Sequence, residues 1–257
     1  MQTPLKDELA VAVELARTAG EIMRQYFDGD QKVTIKTDGS PVTIADLEIN
    51  KMVIEKLTEV FPSDGVIGEE ESNSDYGMGR KWFCDPIDGT RAFTWGVPTA
   101  MFSLGLCIDG ESVLGVAYDP FLDRIYTATK GSGAFCNDES ISVSGLTLKQ
   151  GIVVLTDRSK KEIEMSNFHK YVANNELPTA VFNGSVYKGT LIARGKLVGL
   201  AEKNISPHDI AAIDIIVREA GGKVTDLDGN ALDYSKDFKG AIVSNAAAFE
   251  QILEACK

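Results

Sequence analysis

Residues 81–90, KWFCDPIDGT, run an apolar strand straight into two aspartates, Asp85 and Asp88, that straddle a proline. This feature constrains the fold more than any other, because like charges so close together resist joint burial unless something positive sits between them. Either the strand surfaces as a turn, for which Asp, Pro and Gly are ordinary residues, or its end carries a metal cluster. The other acidic positions of the chain decide between the two.

A second apolar stretch, DGVIGEEES, also breaks into acids, at Glu69, Glu70 and Glu71. A helix expected from about Thr43 carries Asp46 near its start, and one opening at Pro207 carries Asp209. Asp46, Glu69, Asp85, Asp88 and Asp209 therefore share one kind of position, the end of a strand or the beginning of a helix. Ligand sites of layered α/β folds form there. Carboxylate oxygens favour a hard cation, and Mg²⁺ characteristically takes a few carboxylates plus waters and substrate phosphate oxygens. Within DPIDGT, Asp85 is placed to bridge two ions and Asp88 to hold one, and the Ile87 carbonyl is an available ligand. Gly89 lets the backbone approach a ligand closely. The Gly89 and Thr90 N–H groups suit a phosphate oxygen if they open a helix.

Composition narrows the partners. Lys plus Arg total 26 against 38 Asp plus Glu, a net charge of −12, which repels nucleic acid and makes bound cations necessary for an anionic substrate. Four cysteines without a Cys-x-x-Cys pair, and only two histidines, suggest neither a zinc site nor a disulfide framework and fit a reducing cytosol. Charges at Lys6, Asp7, Glu8 and Glu14 occupy the place of a signal peptide's apolar stretch, and no run is long enough to span a bilayer. A soluble cytoplasmic protein without a membrane partner is expected.

Leu5, Leu9, Val13, Ala16, Met23 and Phe27 form a helical stripe, and Leu47 to Phe61 supply a second helix. Between them KVTIKTDGSPVT alternates like a strand and ends in a turn signal. Residues 99–143 read as an antiparallel meander, equally suited to a core or a dimer interface. The second half alternates: IVVLT before a helix after Arg158, TAVFN before one around Val186 to Arg194, and KLVGLAE before a helix that starts near Pro207 and stops at Gly221-Gly222. Sheets alternating with helix pairs follow, with a boundary near residue 145 between segments 1–145 and 146–257. The run RSKKEIE reads as a mixed-charge helix start. Asp226 and Asp228 read as a hairpin turn, His208 as a packing or capping residue, and Cys84 as a small hydrophobe.

GEE at 68–70, DPIDGT at 85–90 and HDIAAIDIIVREAGG at 208–222 resemble the signature segments of the inositol monophosphatase family of metal-dependent, lithium-sensitive phosphatases. The likeness spans nearly the whole chain, since GVAYDP, YTATKGSGAFCN and VTIADLEIN resemble the segments between and before those signatures. The resemblance implies an α+β fold, a layered αβαβα sandwich, that hydrolyses a small phosphate monoester with two or three Mg²⁺ ions, and a homodimer. It implies that Glu69, Asp85 and the Ile87 carbonyl hold the first ion and Asp85, Asp88 and Asp209 the second. Asp46 and Thr90 match the carboxylate and hydroxyl that orient the attacking water, with Glu69 counted among the catalytic groups.

Asp88, Gly89, Thr90, Gly184, Ser185, Glu202 and Asp209 match substrate-binding positions, and the loop around Lys36 and Asp38 matches one that closes over metal. The implied substrate is myo-inositol 1-phosphate or a similar polyol phosphate. Arg91 departs from the inositol-specific pattern and resembles histidinol-phosphate phosphatases of the same superfamily. Fructose 1,6-bisphosphate and 3′-phosphoadenosine nucleotides come next, and some relatives of this fold act as binding factors rather than enzymes.

Overall fold

A computed structural model describes residues 5–156 and 167–257. The mixed-charge run at 158–164 lies outside the described residues, and of the helix read after Arg158 the part described is Asn167–Asn174. Helices α1 (Lys6–Phe27) and α2 (Ile44–Val60) flank a small hairpin of β1 (Thr34–Ile35) and β2 (Pro41–Val42). A sheet in sequence order follows: β3 (Gly65–Gly68), β4 (Arg80–Asp88), β5 (Met101–Ile108), β6 (Glu111–Asp119), β7 (Arg124–Thr129), β8 (Ala134–Cys136) and β9 (Glu139–Ser140), with the short α3 (Thr90–Thr94) after β4. The β3–β4 pair is parallel and the rest antiparallel, as the meander pattern predicts.

A second sheet runs in the order β11 (Thr179–Phe182), β10 (Val153–Thr156), β12 (Gly199–Glu202), β14 (Ala241–Ser244) and β13 (Lys223–Thr225). Helices α4 (Asn167–Asn174), α5 (Ser185–Ala193), α6 (Pro207–Glu219) and α7 (Phe249–Cys256) complete the described elements. The DLDGN stretch does turn, with Asp226 Oδ1 accepting from the Asp228 and Asn230 amides. It opens a long connection, residues 226–240, between the antiparallel strands β13 and β14, rather than closing a tight hairpin.

Side chains of a strand alternate between its faces, and the cores follow that period. Trp82 and Cys84 of β4, Phe102, Leu104 and Leu106 of β5, and Leu114 and Val116 of β6 pack with α1 and α2. Phe83, Met101, Cys107 and Ala117 lie in a different cluster, with α5, α6 and one face of the second sheet through Val154, Leu200 and Val243. The other face, through Val153, Ala201 and Ile242, packs on α4 and α7. Three cores separate five layers, αβαβα. Strands β5 and β6 of the meander are thus buried on both faces and serve as core.

One contact fixes the central layer. Gly105 of β5 pairs with Gly115 of β6, and a Cβ on either would stand 2.7 Å from the Ala212 nitrogen or 2.4 Å from the Ala212 oxygen of α6. The helix therefore lies flush on the sheet, which brings its first turn to the end of β4.

Candidate active site

A strand of period two would send Asp85 and Asp88 to opposite faces. A bulge prevents this: Asp85 pairs with Ser103 and Asp88 with Met101, so three steps on β4 match two on β5. Pro86, which has no N–H to give a ladder, lies inside the bulge. Asp85 Oδ1 accepts from the Ile87 amide at 3.1 Å, and a ligand oxygen of Asp85, Asp88 and Asp209 lies within 4.8 Å of the others.

Asp46 and Asp209 arrive from helix starts and are built alike. Each is the third residue of its helix and closes a capping box. Asp46 Oδ2 accepts from the Thr43 amide at 2.8 Å and the Thr43 hydroxyl at 2.5 Å, which leaves Oδ1 for Thr90 Oγ1 at 3.3 Å. Asp209 Oδ2 accepts from the Ser206 amide at 2.6 Å. One oxygen anchors each helix, and the other is left to the site. Thr90 Oγ1 also lies 3.0 Å from the Ile87 carbonyl.

The start of α5 holds Asp88. Its carboxylate accepts from the amides of Ser185 at 2.7 Å, Val186 at 2.9 Å and Tyr187 at 3.4 Å. Gly184 precedes that turn with φ 85°, and a Cβ there would meet Asp88 Oδ2 at 2.5 Å. A side chain at 184 would thus both strain the backbone and push the aspartate away. Gly89 stands against Gly184 and caps α3, whose first residue is Thr90. Glu202, at the end of β12, is buried; it accepts from Ser185 Oγ at 3.3 Å and is bonded by the fully buried Lys188.

Glu69 and Glu70 leave β3 toward the hairpin. The Glu69 amide is pinned to the Cys84 carbonyl at 3.0 Å, and its carboxylate is engaged by Lys36 Nζ at 2.9 Å, as is that of Glu70 at 2.6 Å. Glu69 therefore borders the aspartate triad without joining it. Asp38 turns onto its own loop, accepting from the Ser40 amide and hydroxyl. Glu71 and Arg91 are exposed. His208 Nε2 lies 3.9 Å from Asp209 Oδ1, and Cys84 is fully buried, with burial pushing its thiol pKa well up.

The electrostatics are those of a charge deficit. Burial first, then the charges of Glu69, Asp88, Asp209 and Asp46, push the Asp85 carboxyl well above the carboxylate range. Burial pushes Asp88 up to about 7, with Asp209 adding to it and Lys188 opposing it. Burial likewise raises Asp46 to about 7. Against its own burial, Lys36 is held above the ordinary lysine value by Glu70 and Glu69. Hard oxygen donors crowded to this degree suit a divalent cation, which removes the repulsion that raises their pKa values.

The comparisons with known proteins agree with this geometry. A model described as the inositol monophosphatase family matches residues 5–257. The chain belongs to that family. A histidinol-phosphatase of Chlorobaculum parvum is 33% identical over 251 residues, covering 96% of each chain. An inositol monophosphatase of Dictyostelium discoideum is 34% identical over 239 residues, 89% of this chain and 88% of that one. Among solved structures, an IMPase of Thermotoga maritima superposes with a TM-score of 0.86 at 28% identity, covering 97% of this chain and 96% of the other. The chain is a phosphomonoesterase with the family's layered fold.

Sequence reasoning passed over the groups that hold the acids in place. Thr43 and Ser206 were open to detection, since Thr-x-x-Asp and Ser-x-x-Asp before apolar runs are capping-box spacings. Lys188 had a fainter signal, a lone lysine where Val186, Thr190 and Ala193 mark the buried face of a helix.

Proposed function

We propose that the chain hydrolyses a small polyol phosphate monoester, myo-inositol 1-phosphate first among them, with Mg²⁺ as cofactor. The observation that carries this reading is the gathering of Asp85, Asp88 and Asp209 beside the Thr90–Asp46 hydrogen bond. Asp85, the Ile87 carbonyl and Glu69 would hold one ion, and Asp85, Asp88 and Asp209 a second. Glu70 and the Lys36 loop form the outer part of the site, where a third ion would be held. Bound ions supply neutralisation of the phosphate oxygens and acidification of a water.

The chain's own groups do the rest. A hydroxyl has one proton to give, so when Thr90 gives it to Asp46 its lone pairs are left to accept from a water. Burial, the first cause of its raised pKa, makes the Asp46 carboxylate a better proton acceptor than an exposed one. Asp46 is itself oriented by Thr43, which leaves its other oxygen facing the Thr90 hydroxyl. Gly89, Gly184 and Ser185 border Asp88 closely enough to line the substrate's path.

The reading includes segments 1–145 and 146–257 working as one catalytic unit, because Asp209 comes from the second and Asp85 and Asp88 from the first. It includes a homodimer in the cytosol, suited to four free cysteines. No helix among the described residues is long and apolar enough to cross a membrane. A second reading, histidinol phosphate as substrate, is favoured by the histidinol-phosphatases of Chlorobaculum parvum and Mycobacterium tuberculosis, each 33% identical.

Phosphate release from myo-inositol 1-phosphate, histidinol phosphate, fructose 1,6-bisphosphate and 3′-phosphoadenosine 5′-phosphate, each with and without Mg²⁺, tests both. Highest kcat/KM on the inositol ester is expected. Undiminished turnover in excess chelator would refute the metal chemistry, and no release from any ester would leave a binding role.

A further inference from the structure

Lys188 is fully buried on α5, and a buried ammonium is costly unless it is paired. It bonds the Glu202 carboxylate, whose other oxygen accepts from Ser185 Oγ at 3.3 Å. The Ser185 amide in turn holds Asp88 Oδ1 at 2.7 Å. One residue thus separates this ion pair from the aspartate cluster. The two charges reach the cluster, Lys188 acting on Asp88 and Glu202 on Asp209. The hydrolytic chemistry derived above uses neither member.

We propose that Lys188 is a specificity-determining residue. By compensating Glu202, it keeps the wall behind Ser185 from attracting a cation, so the site takes the phosphate ester of an uncharged polyol over that of an amino alcohol. The inference rests on the phosphatase reading and narrows its substrate class. Two such esters present the same phosphate to the aspartates and differ only in the alcohol. An uncompensated carboxylate in a low-dielectric wall draws an ammonium strongly, whereas a paired one presents a dipole whose field falls off faster. Selectivity is the difference of two affinities, and a single charge at this place acts on one of them. The alternative is a brace, in which the pair merely ties α5 to β12 and its loss weakens both esters alike.

The test measures affinities for L-histidinol phosphate and myo-inositol 1-phosphate by calorimetry, with Ca²⁺ in place of Mg²⁺, in wild type, Lys188→Met, Glu202→Gln and the double variant. Lys188→Met should move the affinity ratio toward histidinol phosphate by about tenfold or more, and the double variant should return it to within about threefold of wild type. Removing both partners of a buried pair is far milder for folding than removing one. Lys188 is therefore read a second time in the Glu202→Gln background, where adding Lys188→Met must again shift the ratio toward histidinol phosphate.

Both affinities falling together at constant ratio overturns the proposal in favour of the brace. So does a wild type that already prefers histidinol phosphate. Phosphate release in Mg²⁺ is scored separately: ester binding without turnover sinks the phosphatase reading and leaves the ratio test standing.

Discussion

Gly115→Ala tests whether the site depends on how closely α6 lies on the seven-stranded sheet. The new Cβ would stand 2.4 Å from the Ala212 oxygen, 2.7 Å from Ile215 Cγ2 and 2.9 Å from Ala212 Cα. Ordinary contact begins near 3.4 Å, so the closest approach must open by about 1 Å. Two of the three atoms are backbone or fixed to it. No rotamer change relieves the clash, and the helix has to retreat. Asp209 lies three residues before Ala212, within one helical turn, so the retreat carries its carboxylate away from Asp85 and Asp88.

Overpacking of this kind costs roughly 1–3 kcal/mol, which for a chain of this size lowers Tm by roughly 2–12 °C. A displacement of about 1 Å in a catalytic group costs about a hundredfold in rate. The assay follows kcat at saturating substrate, half-saturation by Mg²⁺ and Tm. Gly145→Ala serves as control, because a Cβ there meets nothing within 4 Å. A Gly115→Ala protein that loses stability yet keeps kcat within about twofold refutes the coupling of layer spacing to the site.

Asp209→Asn keeps the shape and the capping oxygen but removes a charge from the triad, and kcat should fall about a hundredfold in a phosphate-release assay. Thr90→Val should fall comparably with substrate affinity kept, while Thr90→Ser retains most of the rate; near-normal kcat in Asp209→Asn and Thr90→Val would place the active site elsewhere. Activity should require Mg²⁺ and be inhibited by Ca²⁺, which prefers more ligands at longer distances, and a titration of one ion against the other checks it.

Without metal, Asp46 and Asp88 stand near 7 when folded against about 3.9 unfolded, so their contribution to stability is complete below about 4 and is lost as pH rises through 7. Tm in chelator should therefore fall between pH 5 and 8, and saturating Mg²⁺ should flatten the slope; a flat profile in chelator contradicts the charge-deficit account.

Much of this was legible in the sequence because it rests on local rules. Period-two runs such as TAMFSLGLCI gave the meander, and Pro207 with Gly221-Gly222 bracketed α6 closely. The five acids were read from their places at element ends, and the structure gathers three of them, Asp85, Asp88 and Asp209, within 4.8 Å of one another. What sequence reasoning lacked was the relation between elements. That Asp85 and Asp88 share a face depends on a bulge defined by the partner strand, β5. That Glu69 turns to Lys36 depends on the hairpin folding over β3. The DLDGN stretch shows the same limit, since its turn is local while the pairing of β13 is not. The Lys188 partner of Glu202 lies on a helix that pattern alone could not orient.

The placement of the acids also explains how the fold tolerates them. Five carboxylates at one strand end would unfold a chain that offered them only apolar surroundings. Asp46 and Asp209 instead stand in the first turns of α2 and α6, where unpaired amides and the helix dipole favour negative charge. Asp88 belongs to β4 but borrows the same environment, since α5 turns its first amides onto it. Asp85 has a single amide from its own bulge, and burial, with the charges of Glu69, Asp88, Asp209 and Asp46 added, pushes its carboxyl well above the ordinary range. Helix starts thus offset part of the cost for three of the four aspartates, and Asp85, the residue proposed to be shared by two ions, is left without one. The fold leaves the one aspartate of the four without a helix start behind it at the place where a cation gains most from binding.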